Sequence, residues 1–286
     1  MSNYPSGGAQ LAPRSLATVS LPGSLPQKLD AAHQVGFGGV EICQRDLDET
    51  CLTAGEVRDL AGSLGLEIFL WQPLRDVEAV PAEVLDANLR RARQVMGLLG
   101  ELGTSTLIAC SNVSPAAIAD DRRAAGQLGD LADLAASYGV RVAYEALSWG
   151  TWVRTYEHAW RLVEAADRPN LGVCLDSFHI LAAGSDLAGI GVIPAGKIMA
   201  VQLADAPLMQ LDFLDWSRHH RRNPLLGDLD VPGFTKAVLA AGTQVPWALE
   251  IFRDWPEGAD PWQAAVDGMR SLNNLERAVC GAAVPG

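Results

Sequence analysis

Short apolar runs alternate with longer amphipathic stretches along most of the chain. The apolar runs have the length of buried strands and lie at 15–20, 39–42, 67–71, 105–109, 140–145, 171–176, 198–202 and 247–250. Helical patterns cover 25–35, 54–64, 82–101, 115–138, 155–166, 187–192, 231–241 and 261–279. Glycines stand where four helices should stop ahead of a strand: Gly36, Gly65, Gly103 and Gly139. Eight alternating strands and helices predict an α/β fold of the (β/α)8 TIM barrel type.

A doubly wound open sheet is the main alternative to the barrel. It requires a glycine-rich phosphate-binding turn after the first strand, and residues 21–26 (Leu-Pro-Gly-Ser-Leu-Pro) match such a turn poorly. Residues 1–13 are predicted to form a flexible tail, and residues 14–286 a single TIM-barrel domain. The tail has no basic stretch followed by an apolar one, so no signal peptide is expected.

Polar side chains close four of the predicted strands. They are Glu145, Asp176, Gln202 and Glu250. A carboxylate or carboxamide at the end of a buried run is costly unless it is paired, hydrogen-bonded or bound to a cation. The carboxyl ends of parallel barrel strands meet at one face, so the four side chains are expected to converge there. Oxygen ligands of this kind suit a hard divalent cation.

Composition narrows the range of partners. The 286 residues are 49% hydrophobic and 20% charged, which is sufficient for a large core. The formal net charge of −12 argues against nucleic acid, because nucleic-acid binding depends on positive charge. No apolar run approaches the roughly 20 residues that span a bilayer, so no membrane partner is expected. Five scattered cysteines without a CxxC pair are typical of a reduced, cytoplasmic protein. The oligomeric state stays open, a homo-oligomer included.

The longest connection follows the seventh strand and runs over 204–231. It holds five basic or potentially basic side chains, which are Arg218, His219, His220, Arg221 and Arg222. A long loop at the carboxyl end of a barrel strand usually carries function. A local group of arginines in an acidic protein therefore indicates a small anionic substrate.

Five segments carry a resemblance to a known family. They are Tyr-Glu-Ala-Leu-Ser-Trp-Gly (144–150), Leu-Asp-Ser-Phe-His (175–179), Val-Gln-Leu-Ala-Asp-Ala-Pro (201–207), Trp-Ser-Arg-His-His-Arg (216–221) and Leu-Glu-Ile-Phe (249–252). Over about 15–275 the chain resembles the xylose-isomerase-like TIM barrels, which include sugar phosphate isomerases and epimerases. Within them it is most similar to bacterial 3-dehydroshikimate dehydratases. That group converts 3-dehydroshikimate to protocatechuate and water, in quinate and shikimate catabolism.

The resemblance implies one divalent metal ion, such as Mg2+, Mn2+ or Co2+, held by Glu145, Asp176, Gln202 and Glu250. The metal would stabilise the enolate that forms when a proton α to the substrate ketone is removed. His179 is the leading candidate for proton transfer, with a hydrogen bond to a ligand carboxylate as the alternative, and it is also a candidate substrate contact. Glu145 or Glu250 could also act as the base.

A small anionic cyclic hydroxy-ketone would be the substrate. Its carboxylate needs a cation, for which Arg75, Arg218, Arg221 and Arg222 are the candidates, and Ser217 could bond a substrate hydroxyl. Glu41 receives no catalytic role and is expected to accept a hydrogen bond or to pair with Arg75.

Two segments depart from the family pattern. Leu147 stands where some members have histidine, and residues 224–228 read Pro-Leu-Leu-Gly-Asp in place of the usual Pro-Gly-x-Gly-acid turn. Some members also carry a dioxygenase-like second domain, for which this sequence has no segment.

The main alternative function is a metal-dependent ketose, hydroxypyruvate or inosose isomerase or epimerase, which would share the metal and most ligands. The arginine-rich loop favours an acidic substrate instead. A DNA endonuclease of this fold needs several histidines and a basic groove, and a non-catalytic barrel would be expected to have lost a ligand.

Overall fold

The computed structural model describes residue 11 and residues 13–281. Eight parallel strands close into a barrel in chain order, each strand pairing with the next and β8 returning to β1. The strands are β1 Arg14–Ala17, β2 Gly39–Cys43, β3 Glu67–Arg75, β4 Thr106–Cys110, β5 Arg141–Glu145, β6 Leu171–Asp176, β7 Ile198–Leu203 and β8 Trp247–Leu249. The predicted TIM barrel is confirmed, and the open-sheet alternative is wrong.

Helices surround the barrel and fill several of its loops. In the described part of the chain they are α1 Leu25–Val35, α2 Gln44–Glu49, α3 Ala54–Ser63, α4 Ala82–Leu102, α5 Asp121–Ala136, α6 Tyr156–Ala166, α7 Ser177–Ala182, α8 Phe213–His219, α9 Val231–Ala241 and α10 Pro261–Cys280. Short 3-10 turns lie at Thr18–Ser20, Leu187–Val192 and Ala195–Lys197. None of these helices is both long and apolar enough to cross a membrane.

Three boundaries differ from the sequence prediction because side chains bond the backbone there. The predicted strand 15–20 ends at Ala17, since the Thr18 hydroxyl accepts a hydrogen bond from the Cys43 N–H and the chain turns. The predicted helix 115–138 begins only at Asp121, where Asp120 caps it by accepting from the N–H of Arg123. The segment 187–192 is 3-10 rather than α-helical.

The predicted tail, residues 1–13, lies outside the described residues except at positions 11 and 13. Leu11 is buried, and its N–H donates to the Glu276 carboxylate. The division into a tail and a single barrel domain stays a prediction.

Two layers of apolar side chains arise from the alternation of side chains along each strand. Residues such as Val173 and Leu175 point outwards and join the large core between barrel and helices. The intervening positions point inwards, where Ala143, Cys174 and Ala200 form a separate cluster. Two residues beyond each of these three lies Glu145, Asp176 or Gln202. The same alternation therefore directs the predicted metal-site side chains into the barrel mouth.

Candidate active site and metal centre

The four polar strand ends meet in one buried group at the carboxyl face of the barrel. Asp176 pairs in register with Gln202, whereas Glu145 pairs with Cys174, two residues before Asp176 on the same inward face of β6. The Gln202 amide donates from Nε2 to Glu250 Oε1 at 3.2 Å. All four side chains are almost fully buried. The structure thus brings together the side chains that the sequence predicted to converge.

His179 joins this group from the helix that starts at Asp176. The Asp176 carboxylate caps α7 by accepting from the N–H of Phe178 at 2.7 Å, and the first helical turn carries His179 back over the cluster. One ligand atom each of Glu145, Asp176 and His179 lies within 4.8 Å of the others. These three side chains could therefore hold a metal ion, with Gln202 and Glu250 beside them.

The guanidinium of Arg221 uses all five of its N–H donors inside the site. Nη1 donates to Asp176 Oδ2 at 2.7 Å and to Glu250 Oε2 at 2.9 Å. Nη2 donates to Ser217 Oγ at 2.9 Å and lies 3.1 Å from His179 Nε2. Nε also donates to Ser217, at 3.2 Å. Two residues predicted to bind substrate, Arg221 and Ser217, are thus bonded to each other and to the acidic cluster.

The neighbours of His179 define its tautomer. Arg221 has only donors, so His179 Nε2 must accept the hydrogen bond from Nη2. Nδ1 then carries the proton and donates to Ser148 Oγ, 3.1 Å away, and the Ser148 N–H, which is 3.4 Å from Nδ1, makes only the longer and weaker contact. Burial lowers the pKa of His179 to about 3, and Arg221 acts in the same direction against the opposing charge of Asp176. The imidazole is therefore neutral at ordinary pH.

If all the buried carboxyl groups were ionised, they would carry more negative charge than one arginine can balance. Burial, together with the charge of Asp176, raises the pKa of Glu145 to about 7. Burial likewise raises the pKa of Glu250 well above its usual range, although Arg221 opposes the shift. Burial also acts on Asp176, but Arg221 and His179 outweigh it and lower the pKa of Asp176. A divalent cation among these oxygens would supply the missing positive charge, so the donor set fits such an ion.

Glu41 belongs to the same cluster but lies one layer deeper in the barrel. Its Oε2 atom accepts from Gln202 Nε2 at 2.8 Å and from Gln72 Nε2 at 3.3 Å. Burial raises the pKa of Glu41 to about 8. Within the described residues no ion pair joins Glu41 to Arg75, so of its two predicted interactions the hydrogen bond is the one that forms.

Arg218 covers the outer side of the cluster. Its guanidinium carbon lies 4.4 Å from the ring centre of Phe252 and 5.7 Å from that of Trp149, whose ring contacts His179. A cavity of about 450 Å3 lies on the other side of Arg218 and Phe252, and its further lining includes Lys28 and Asp46 but no residue of the acidic cluster. Burial lowers the pKa of Arg218, and the positive charge of Arg75, at the end of β3, lowers it further. The positive charges of the two arginines thus act on each other.

The long loop after β7 is held to the barrel by a buried carboxylate. Asp205 accepts from the N–H groups of Gly227 and Leu229 at 2.9 and 3.0 Å, and its backbone pairs with Arg222. The arginine loop is therefore closed by Asp205, although its 224–228 turn departs from the family pattern. His219 pairs with Asp254 at the surface, away from the acidic cluster.

Two residues in the site received no role from the sequence. Ser148 bonds His179 and lies in the quoted segment 144–150, which was the available signal. Cys110 donates from Sγ to Glu145 Oε2 at 3.0 Å, and its position at the end of β4 gave the same kind of signal as the metal-site strands. Leu147, the departure from the family histidine, is buried in the apolar cluster inside the barrel.

The fold and the acidic mouth of the barrel define the class of this protein. Residues 29–274 match the family described as xylose isomerase-like TIM barrel, and the chain belongs to that family. The resemblance inferred from the five sequence segments is confirmed at this level.

Particular relatives narrow the similarity further. The chain is 48% identical over 263 residues to 3-dehydroshikimate dehydratase of Pseudomonas aeruginosa, and 46% identical over 263 residues to that of Pseudomonas putida. Each alignment covers 92% of this chain, but 42% and 41% of the respective relative. A solved xylose isomerase-like TIM barrel/4-hydroxyphenylpyruvate dioxygenase fusion protein matches with a TM-score of 0.92 and 45% identity, over 93% of this chain and 43% of the fusion protein. The chain thus spans about two fifths of the length of these three relatives.

Proposed function

We propose that this chain is a metal-dependent 3-dehydroshikimate dehydratase, a hydro-lyase that forms protocatechuate and water. The observation that carries the proposal is the convergence of Glu145, Asp176, Gln202 and Glu250 on one buried group beside His179. The 48% identity to a dehydratase over 92% of the chain supports the choice of reaction. The cysteines of the chain, all of which lie within the described residues, are thiols and not disulfides, which fits a reduced, cytoplasmic setting.

We assign one divalent ion, such as Mg2+, Mn2+ or Co2+, to Glu145, Asp176, Gln202 and Glu250. Three carboxylates and one carboxamide are oxygen ligands that all three metals accept. One oxygen each of Asp176 and Glu250 accepts from Arg221, while Asp176 Oδ1 accepts from the N–H of Phe178 and Glu250 Oε1 from the Gln202 amide. When bound, the cation would stabilise negative charge that develops on the ketone oxygen of the substrate.

His179 is our candidate for proton transfer. Its Nδ1–H is held by Ser148, which leaves the lone pair of Nε2 directed towards Arg221 and the acidic cluster. Burial keeps the imidazole neutral, so Nε2 can take a proton from the substrate carbon once its hydrogen bond from Arg221 Nη2 is exchanged, and can later return that proton to the departing hydroxyl. Glu145 and Glu250 are the alternative bases, and a bound cation would lower their basicity.

The substrate carboxylate is assigned to Arg218 and Arg75. Arg218 stacks on Phe252 and lies over Trp149, which contacts His179, so its charge lies beside the acidic cluster. Arg221 and Ser217 can contact the substrate only if one of their present hydrogen bonds is exchanged. We therefore give Arg221 the task of holding Asp176, Glu250 and His179 in position.

An absorbance assay tests the proposal. Protein stripped of metal and reconstituted with Mg2+, Mn2+ or Co2+ is given 3-dehydroshikimate, and protocatechuate is followed in the near ultraviolet. Metal-dependent turnover that falls at least about 10²-fold in Glu250→Gln is the expected result, because that variant removes a charged ligand oxygen.

Glu257→Gln is the matched control, since Glu257 is exposed in the loop after β8. Metal binding without product from any of the three reconstituted forms would overturn the dehydratase assignment. The isomerase and epimerase alternative would then lead, and a panel of ketoses would test it.

A further inference from the structure

The side chain of Gln202 joins two acidic groups at different depths of the barrel. Its Nε2 atom lies 2.8 Å from Glu41 Oε2 and 3.2 Å from Glu250 Oε1. Its Oε1 atom receives only the weak Sγ donor of Cys174, at 3.5 Å. The amide nitrogen is therefore the strongly held end of this side chain, and Glu41 is its shorter contact.

The orientation of this amide decides whether Gln202 can be a metal ligand. A carboxamide has one oxygen, which can coordinate a cation, and one NH2 group, which repels it. The two ends have almost the same shape, so packing alone selects neither. An acceptor that binds the NH2 group at a fixed place leaves the oxygen for the cation.

The geometry points to Glu41 as the positioning residue of the metal centre: it anchors the Gln202 NH2 group and thereby reserves Gln202 Oε1 for the divalent ion. This inference rests on the proposed metal site and deepens it. Asp176, on β6, is next to Gln202 on one side of β7, whereas Glu41, on β2, lies in the other direction around the barrel. Glu41 is itself held in place by Gln72, whose Nε2 donates to it at 3.3 Å. Residues that orient ligands in this way contribute about 10- to 100-fold to metal affinity.

Glu41 has the burial of a residue with such a task. Its side chain is 1% exposed and has no cationic partner within 4 Å in the described part of the chain. A carboxyl group retains an acceptor oxygen whether or not it carries a proton. The anchoring of Gln202 therefore depends on the acceptor atom and not on the charge of Glu41.

Two substitutions at position 41 separate the acceptor from the charge. Glu41→Gln keeps an acceptor oxygen and removes the charge, whereas Glu41→Met keeps a similar length and removes both. Affinity for Mn2+ and Co2+ is measured by competition with a chromophoric chelator, and the visible spectrum of the Co2+ form reports on the ligand set. We expect Glu41→Met to weaken metal binding about 10- to 100-fold and to change the Co2+ spectrum, and Glu41→Gln to retain both.

A double-mutant cycle with Gln202→Met shows through which residue Glu41 acts. Once Gln202 is removed, Glu41→Met should cost no further affinity, because the two changes break one interaction. Glu67→Met is the matched control on the wall of the barrel, since Glu67 is exposed at the start of β3. Thermal unfolding of the metal-free variants shows that each is folded.

The outcomes of the two proposals are distinguishable. Equal metal affinity in Glu41→Met and the native protein would overturn the role of Glu41 and leave the dehydratase proposal intact. An equal loss in Glu41→Gln and Glu41→Met would also overturn it, because charge and not the acceptor would then matter. Absence of metal binding in the native protein would overturn the proposed function itself.

Discussion

The Nη2 atom of Arg221 lies 3.1 Å from Nε2 of His179 and donates to it. The two residues come from different βα loops, 42 positions apart in the chain. Since a guanidinium cannot accept a hydrogen bond, this contact fixes the imidazole as the neutral Nδ1–H tautomer. Arg221 also binds Asp176 and Glu250, so one side chain connects the proposed proton carrier to two proposed metal ligands.

Replacement of Arg221 by lysine should lower kcat about 10- to 100-fold, because lysine retains the charge but not the planar set of donors that orients His179 and both carboxylates. Steady-state kinetics across pH measure the effect. Arg222→Lys is the control, since Arg222 is the exposed neighbour in the loop. A full retention of kcat in Arg221→Lys would contradict the positioning role.

Replacement of His179 by glutamine should lower kcat about 10²- to 10⁴-fold, because glutamine fills a similar space but transfers no proton. Metal affinity, measured by chelator competition, should change little. A parallel loss of affinity and turnover would instead show that His179 is a metal ligand, a role that its distance from Glu145 and Asp176 permits.

Replacement of Arg218 by glutamine should raise the KM for 3-dehydroshikimate about 10- to 100-fold, since a charged hydrogen bond to the substrate carboxylate is lost. Arg270→Gln makes the same charge change at an exposed position of α10, and its KM should stay unchanged. If the native protein, Arg218→Gln and Arg270→Gln had similar KM values, Arg218 would not bind the substrate carboxylate and Arg75 would be the next candidate.

The stability of the metal-free protein should fall as pH rises from about 5 to 8. In the folded state Glu41 holds its proton up to about pH 8 and Glu145 to about pH 7, whereas both groups ionise near 4.5 in the unfolded chain. The folded state therefore binds more protons in this window, and the free energy of unfolding decreases with pH. Below about pH 6.5 His179 acts oppositely, because only the unfolded chain protonates it there.

Urea unfolding of metal-free protein at several pH values checks this dependence. Glu41→Gln should reduce the slope between pH 5 and 8, and saturating divalent cation should reverse it, because the cation binds the ionised carboxylates of the folded state. An identical slope in the native protein and Glu41→Gln would contradict the raised pKa of Glu41.

Local patterns in the sequence determined the barrel and the polar ends of its strands. Buried strands and amphipathic helices are recognisable because burial on both faces, or on one face, leaves a periodic trace of apolar residues. The bounds of α1 and α9 follow the prediction without change. The helices α2, α7 and α8 were not predicted, because 6 or 7 residues are too few to show a period.

Closure of the barrel decided what the strand ends and loops contact. Glu41 and Gln202 are 161 positions apart and meet only because β2 and β7 face the same interior. The sequence indicated Arg221 as a cation for the substrate, whereas the folded chain directs its five donors to four protein side chains. Periodicity reports whether a side chain faces inwards. Which atoms it meets there depends on the register, twist and loops of strands far apart in the chain, and only the tertiary structure sets these.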